Sequence, residues 1–308
     1  MRLGALEAGG TKMVCAIGDE RGNLSERASF PTLSPAETIG NLIDFFKKQE
    51  IEALGIGSFG PLSLDPNAPD FGAITTTPKP GWRNYPLRKA FADALNVPVG
   101  IDTDVNAAAL GEATYGAGKG LDSLVYYTVG TGVGGGALLD GRLVHGLVHP
   151  EMGHMLLRPD PRDPAPHGFC PFHDGCLEGM ASGPAIEKRW GVSARELDEH
   201  HVAWEIEAEY LAQMCVNTIV TLSPKRIVLG GGVMHQMHLF PRIRRRTLEL
   251  LNGYIAHEAI LSDMEHYIVA PGLGDNAGAV GSLLLAEQAL KAQIPIEERT
   301  NLWLAGRI

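Results

Sequence analysis

The chain has 308 residues, which at roughly 150 per domain points to about two domains. Hydrophobic residues make up 44% and charged residues 20%, a balance that excludes a largely disordered chain. The 26 Lys and Arg against 36 Asp and Glu leave a net charge of −10, which argues against a nucleic-acid backbone as the main partner. No stretch approaches the roughly 20 consecutive apolar residues of a membrane span, and the start, MRLGALEAGGTK, lacks an apolar core followed by a small-residue cleavage site. A cytoplasmic protein is therefore expected, with neither membrane nor nucleic acid as a partner. Four cysteines are too few for a disulfide framework in a chain of this length.

In chain order, β-type runs at 3–7, 13–18 and 24–30 are separated by glycine turns and read as an antiparallel meander. A helix follows over 34–49, with Ser34 as N-cap, Glu37 in the capping-box position, and Ile39, Leu42, Ile43 and Phe46 on one face. Next come a buried strand at 53–58, a short strand at 73–76, a helix at 87–95, a strand at 99–102 and a helix from about Val105. Strands alternating with helices predict a sheet covered by helices. From 123 the opening pattern returns: a strand to Val129, the turn GTGVGGG, a strand to Leu139, the hairpin Asp140-Gly141 and a third strand through His145. This points to a duplicated architecture. The segment 151–178 is rich in Pro, His, Gly and Cys without periodicity, and reads as an insertion held by something other than a core. Beyond it lie a helix over 202–222, a strand at 226–229, three glycines, a helix from about His235, a strand at 267–270, the loop PGLGDNAGA and a helix to Leu290. The tail 293–308 fits a fold-back strap and a frayed end equally well. Cys15 and Cys215 sit in apolar patterns and read as core residues.

Gly130, Gly132 and Gly135 have the spacing of a dinucleotide fingerprint, but a strand rather than a helix follows, which excludes that reading. No GxxxxGK[ST] loop occurs either. What remains is a pair of glycine hairpins, 9–11 and 130–135, each carrying a threonine. Their backbone amides are open to phosphate oxygens, although glycines also simply permit tight hairpins. Lys12 follows the first hairpin as either a phosphate partner or a solvated side chain. Asp104 opens a helix, where aspartate serves as an ordinary cap or, facing a substrate hydroxyl, as a general base. Cys170, His173 and Cys176 place three soft ligands within seven residues, a pattern that suits tetrahedral zinc. The fourth ligand could be His149, His154 or His167; the alternative is one buried thiol with two exposed side chains. A metal fixing both ends of this loop would also fix Glu151 and Glu178 as acceptors for hydroxyl groups, against the alternative of solvated glutamates.

EAGGTK at 7–12, TDVNAAALGE at 103–112, GTGVGGG, HPEMGH at 149–154, the Cys/His cluster and GGGV at 230–233 together resemble the ROK family of repressors, open reading frames and sugar kinases. In detail the chain resembles the zinc-containing fructokinases of that family, in the right order over residues 3 to about 290. The resemblance implies a two-lobed, actin/hexokinase-like and ribonuclease H-like α/β fold with the active site in the interdomain cleft. Residues 1–112 plus a C-terminal helix at about 276–292 would form one lobe, and 113–275 the other. The implied activity is ATP- and Mg²⁺-dependent phosphorylation of a hexose, D-fructose at its 6-hydroxyl first. A glucose, mannose or N-acetylmannosamine kinase and a non-catalytic sugar sensor are the alternatives. The family's repressors carry a helix-turn-helix ahead of the sugar lobe, whereas here the first strand begins at residue 3.

Residue by residue, the resemblance makes Asp104 the catalytic base and places Thr103, Asp104, Glu151, His154 and Glu178 at the sugar. It places Gly9, Gly10, Thr11, Lys12, Gly130, Thr131, Gly132, Pro184, Gly231, Gly232 and Val233 around ATP. It assigns the fourth zinc position to His154, beside Cys170, His173 and Cys176, and a fully ligated zinc would be structural. Glu7 stands where many members have an aspartate that holds Mg²⁺, and Thr103 where relatives often have a sugar-contacting asparagine. Gly60-Pro61 and the stretch ending at Trp82 would line the sugar pocket, unless Trp82 is packing. A homodimer is implied as well.

Overall fold

The computed structural model describes residues 1–293, so the strap or frayed end expected beyond them lies outside the described residues. In chain order the elements are β1 (Leu3–Ala8), β2 (Lys12–Gly18), β3 (Leu24–Pro31), α1 (Pro35–Lys47), β4 (Ala53–Ser58), α2 (Leu87–Leu95), β5 (Val99–Thr103) and α3 (Asp104–Tyr115). They continue as β6 (Leu124–Val129), β7 (Val133–Leu139), β8 (Arg142–Leu143), α4 (Leu177–Ala181), α5 (Gly183–Trp190), α6 (Ala203–Leu222), β9 (Ile227–Gly230), α7 (Leu239–Leu251), α8 (Glu258–Leu261), α9 (Met264–Tyr267), β10 (Ile268–Val269) and α10 (Ala277–Gln293). The chain forms two compact α/β units: Met1–Gly111 with His145–His149 and the chain from Asn276, and Glu112–Val144 with Pro150–Asp275. Among the described residues, no helix is long and apolar enough to cross a membrane.

The first unit is built on a five-stranded sheet of order β3-β2-β1-β4-β5. β1, β2 and β3 form the expected antiparallel meander, and β4 and β5 extend it in parallel to β1. Such central strands are covered on both faces, which is why they read as nearly continuous apolar runs. One face packs Leu6, Met13, Leu54 and Ile56 against Leu42 and Phe46 of α1 and Phe91 of α2. The other packs Leu3, Ala5, Ala16 and Ala53 against Ala279, Leu283 and Ala286 of α10. The Ser34/Glu37 capping box is present, with the Ser34 amide donating to Glu37 Oε2 at 3.2 Å. The strand expected at 73–76 is reduced to isolated bridges from Ile74 to Leu62 and Tyr85. Pro61, Pro78 and Pro80 flank it and offer no amide to extend a ladder.

The second sheet has the order β10-β9-β6-β7-β8, with the same strand senses as the first, so the duplication read from the two meanders holds at the level of topology. Three boundaries differ from expectation. β8 stops at Leu143 because His145–His149 belong to the first unit. The helix expected from His235 begins at Leu239, after a 3-10 turn over Gly232–His235, so the glycine turn does not feed an α-helix directly. The strand expected at 267–270 shrinks to Ile268–Val269. The helices α4 and α5 went unforeseen, being short and interrupted by glycine and proline.

The insertion 151–178 has more apolar anchorage than its composition suggested. Leu157, Leu177 and the adjoining Met180 enter the core of the second unit. Asp163 pairs with Arg189 at 2.8 Å, with both side chains fully buried, and accepts a hydrogen bond from Tyr210 of α6. Burial pushes the neighbouring Glu207 carboxyl well above its ordinary value.

α10 approaches the sheet closely because small residues face it. A Cβ on Gly55 would lie 1.7 Å from the Ser282 carbonyl oxygen, and one on Gly281 1.6 Å from that of Ala107. Gly55→Ala is expected to destabilise the protein by about 3 kcal/mol through overpacking, read as a lower urea midpoint at unchanged slope. Gly40→Ala, in the exposed middle of α1 with nothing within 4 Å, should shift the midpoint the other way, by about 0.5–1 kcal/mol.

Candidate active site

In-register pairing carries Ala8 of β1, Ser58 of β4 and Thr103 of β5 to one edge of the first sheet. The turn 9–11, the Phe59-Gly60 turn and Asp104 therefore leave the sheet along a single rim, the edge at which open α/β sheets bind ligands. Asp104 is the first residue of α3 rather than its cap. The cap role falls to Thr103, whose Oγ1 accepts the Asn106 amide at 3.1 Å and which is buried. The Asp104 carboxylate is thus released from capping, and its Oδ1 accepts the Val105 amide at 2.9 Å. Burial raises its pKa to about 6.

Beneath it lies a cluster that motif reading missed. Asp102, 4% exposed, accepts from the Thr103 amide at 2.7 Å, from Asn106 Nδ2 at 2.8 Å and from His145 Nε2 at 2.8 Å. The hydrogen bond to Asp102 raises the His145 pKa. Four residues on, His149 is buried and accepts the Leu62 amide at 3.0 Å, so it is not the fourth metal ligand.

In the turn 9–11, the Gly9 amide donates to the Lys12 carbonyl at 3.1 Å, and a Cβ on Gly9 would lie 2.6 Å from that oxygen. Thr11 and Lys12 are exposed. The Glu7 carboxyl lies against Gly278, near the start of α10. Trp82 is packing: it is buried against Phe59 and Tyr85, and its Nε1 donates to the Leu33 carbonyl at 2.7 Å. Gly60 packs against the His149 ring.

The second unit brings its glycine segments together. Thr128 of β6 pairs with Gly230 of β9, so the turn 130–132 and the turn after Gly230 emerge side by side. The Gly183 amide donates to the Gly130 carbonyl at 2.8 Å, which seats Pro184 and the start of α5 on the same turn. Gly231 has φ +89°, and a Cβ there would meet the Val129 backbone at 2.5 Å. Val233 turns its side chain into the core.

His154, Cys170, His173 and Cys176 converge, with their ligand atoms all within 4.8 Å of one another. The Cys176 Sγ to His154 Nδ1 and Cys170 Sγ to His173 Nδ1 separations are both 3.6 Å, and Cys170 Sγ to His154 Nδ1 is 4.0 Å. Sulfur and nitrogen bound to one tetrahedral zinc would stand about 3.5 Å apart, so the donor set fits that ion. His167 is elsewhere, paired with Asp174 at 2.9 Å. Burial pushes the Cys176 thiol up to about 11. Glu151 sits exposed just before the 3-10 turn Met152–His154. Glu178 points at the glycine turn, where Oε2 accepts the Val133 amide at 3.0 Å and lies 2.6 Å from the place of a Cβ on Gly132.

The two matched sheets, each ending in glycine turns, define a duplicated α/β protein of the class to which sugar kinases belong. The ROK family model matches residues 3–289, and the chain belongs to the ROK family. It is 47% identical over 291 residues to a fructokinase of Zymomonas mobilis, covering 92% of this chain and 95% of that protein. It is 45% identical over 291 residues to a fructokinase of Pediococcus pentosaceus, covering 94% and 99%. Among solved structures, a ROK hexokinase from Thermus thermophilus is similar with a TM-score of 0.77 at 29% identity, covering 95% of this chain and 100% of that one.

Because the folded chain holds the Asp104 proton more tightly than the unfolded chain, ionising it costs stability. The contribution is absent below about pH 4 and grows to about 3 kcal/mol as pH rises past 6. Asp104→Asn is expected to unfold at higher urea than the wild type at pH 8, with the difference shrinking as pH falls toward 5.

Proposed function

We propose that the protein is an ATP-dependent fructokinase that transfers the terminal phosphoryl group of ATP to the 6-hydroxyl of D-fructose. The observation that carries this reading is Asp104, a carboxylate freed from capping on the rim beside the 9–11 turn, with its pKa raised to about 6. At neutral pH such a group is ionised yet basic enough to accept a proton. It takes the proton from O6 as O6 bonds to the terminal phosphorus, and the bond from that phosphorus to the bridging oxygen breaks to release ADP. The amides of Gly10, Thr11, Thr131 and Gly132 receive the phosphates, those of Gly9 and Gly130 being spent within their turns, and the Gly231 turn with Pro184 receives the nucleoside. Glu7, at the end of β1, is the residue proposed to hold Mg²⁺ through water. Fructose is preferred among hexoses because the relatives of 45–47% identity are fructokinases.

His154, Cys170, His173 and Cys176 are proposed to hold a structural zinc, which when bound cross-links the two ends of the loop. Glu151 and Glu178, flanking those ends, are thereby oriented to accept hydrogen bonds from sugar hydroxyls. A cytoplasmic homodimer is the proposed working form, in keeping with the family resemblance.

ADP release with Mg-ATP should depend on fructose above glucose, mannose and N-acetylmannosamine. Asp104→Asn should lower kcat by about 10²–10⁴-fold, and the wild-type rate should rise with pH through about 6 as the base ionises. Turnover with another hexose alone would overturn the substrate, and wild-type turnover by Asp104→Asn would overturn the base. Metal analysis should find one zinc per chain, lost in Cys176→Ser together with fructose turnover. Full activity after zinc removal would contradict the structural role.

A further inference from the structure

Lys79 belongs to the stretch ending at Trp82, where no individual role falls to it, yet its surroundings are specific. Its backbone is fixed by a tight turn, with the Lys79 amide donating to Thr77 Oγ1 at 3.3 Å and the Trp82 amide to the Lys79 carbonyl at 3.2 Å. Trp82 itself is anchored in the core. From that turn the side chain reaches back across Phe59, with Nζ 5.7 Å from the ring centroid, toward the glycine turn 9–11. A Cβ on Gly10 would lie 3.2 Å from Lys79 Cε and 3.8 Å from Nζ, so the end of the lysine side chain rests against that turn. The side chain is half-buried, and no carboxylate among the described residues pairs with it.

With its stem laid over Phe59, Lys79 presents its ammonium beside the turn, where an anion seated on the adjacent amides would pair with it. Which anion follows from the rim. β1 and β5 are two strand spacings apart, about 10 Å, and end in register at the turn 9–11 and at Asp104. A group held on that turn next to the proton acceptor is the one being transferred.

We propose that Lys79 binds the terminal phosphate of the triphosphate donor and stabilises the charge on its oxygens during transfer. The proposal rests on the reading of turn 9–11 as a phosphate site in a kinase. It makes Lys79 a catalytic residue in addition to Asp104, supplied by a segment that pairs with neither phosphate hairpin.

The test uses the full-length protein, Lys79→Met, which keeps the apolar stem over Phe59, and Lys79→Arg. Lys79→Met is expected to lower kcat about 100-fold, the scale of losing one transition-state donor, with KM for fructose within about threefold of wild type. Lys79→Arg should recover most of the rate. Inorganic tripolyphosphate, titrated calorimetrically, should bind Lys79→Met about tenfold more weakly than wild type, whereas ADP affinity should move by less than about threefold, because ADP lacks the terminal phosphate. A kcat within threefold of wild type, a loss confined to KM for fructose, or lost rate with unchanged tripolyphosphate affinity and no recovery by arginine would each overturn the proposal. A wild-type protein that releases no ADP with fructose would instead refute the kinase reading, so the two failures are separable.

Discussion

The register of three parallel strands is the constraint from which the first unit takes its chemistry. Because Ala8, Ser58 and Thr103 lie opposite one another, the residues that leave the sheet after them emerge on one rim. A slip of one residue in either pairing would turn every side chain of a strand to the other face, with apolar groups on both faces to be lost from the core. Burial on both sides therefore enforces the register, and the register places the glycine turn, the Phe59-Gly60 turn and Asp104 side by side. The second sheet repeats the device, its Thr128 and Gly230 pairing bringing two glycine turns together.

That rim holds groups in states a stability optimum would avoid. Asp104 is half-buried with its pKa raised to about 6, and Lys79 is half-buried without a carboxylate partner among the described residues. Asp102, in contrast, is completely engaged by Thr103, Asn106 and His145. The contrast separates a carboxylate that holds the turn together from one proposed to react. The opposite sheet face, where α10 lies against glycine and alanine, supplies close packing that offsets such costs.

The loop 151–178 is tied down twice by independent means. One tie is the burial of Leu157 and Leu177 with the Asp163–Arg189 pair, the other the convergence of two cysteines and two histidines. Glu178 lies where these ties meet the glycine turn, its Oε2 on the Val133 amide. A carboxylate held this way has one oxygen committed to the backbone and the other available.

Local patterns in the sequence determined much of the molecule: the two meanders, the capped helix at Ser34, the glycine hairpins and the Cys/His spacing all follow from interactions between residues near in the chain. Periodicity and spacing are sufficient there because the partners are neighbours. The short strand ends, α4, α5 and the start of α7 were not legible, since glycine and proline blur the period over so few residues. Other features were decided only by the tertiary structure. Spacing alone left His149 and His167 open beside the His154 that the resemblance assigned, and they are set aside by where each imidazole finds its partner, 87 residues away for His149 and Leu62. The His145–Asp102 pair across 43 residues and the placing of Lys79 over Gly10 had no sequence signal. Each depends on strand pairing that brings distant segments to one edge, and hydrogen-bond ladders, unlike motifs, leave no local mark on the residues they join.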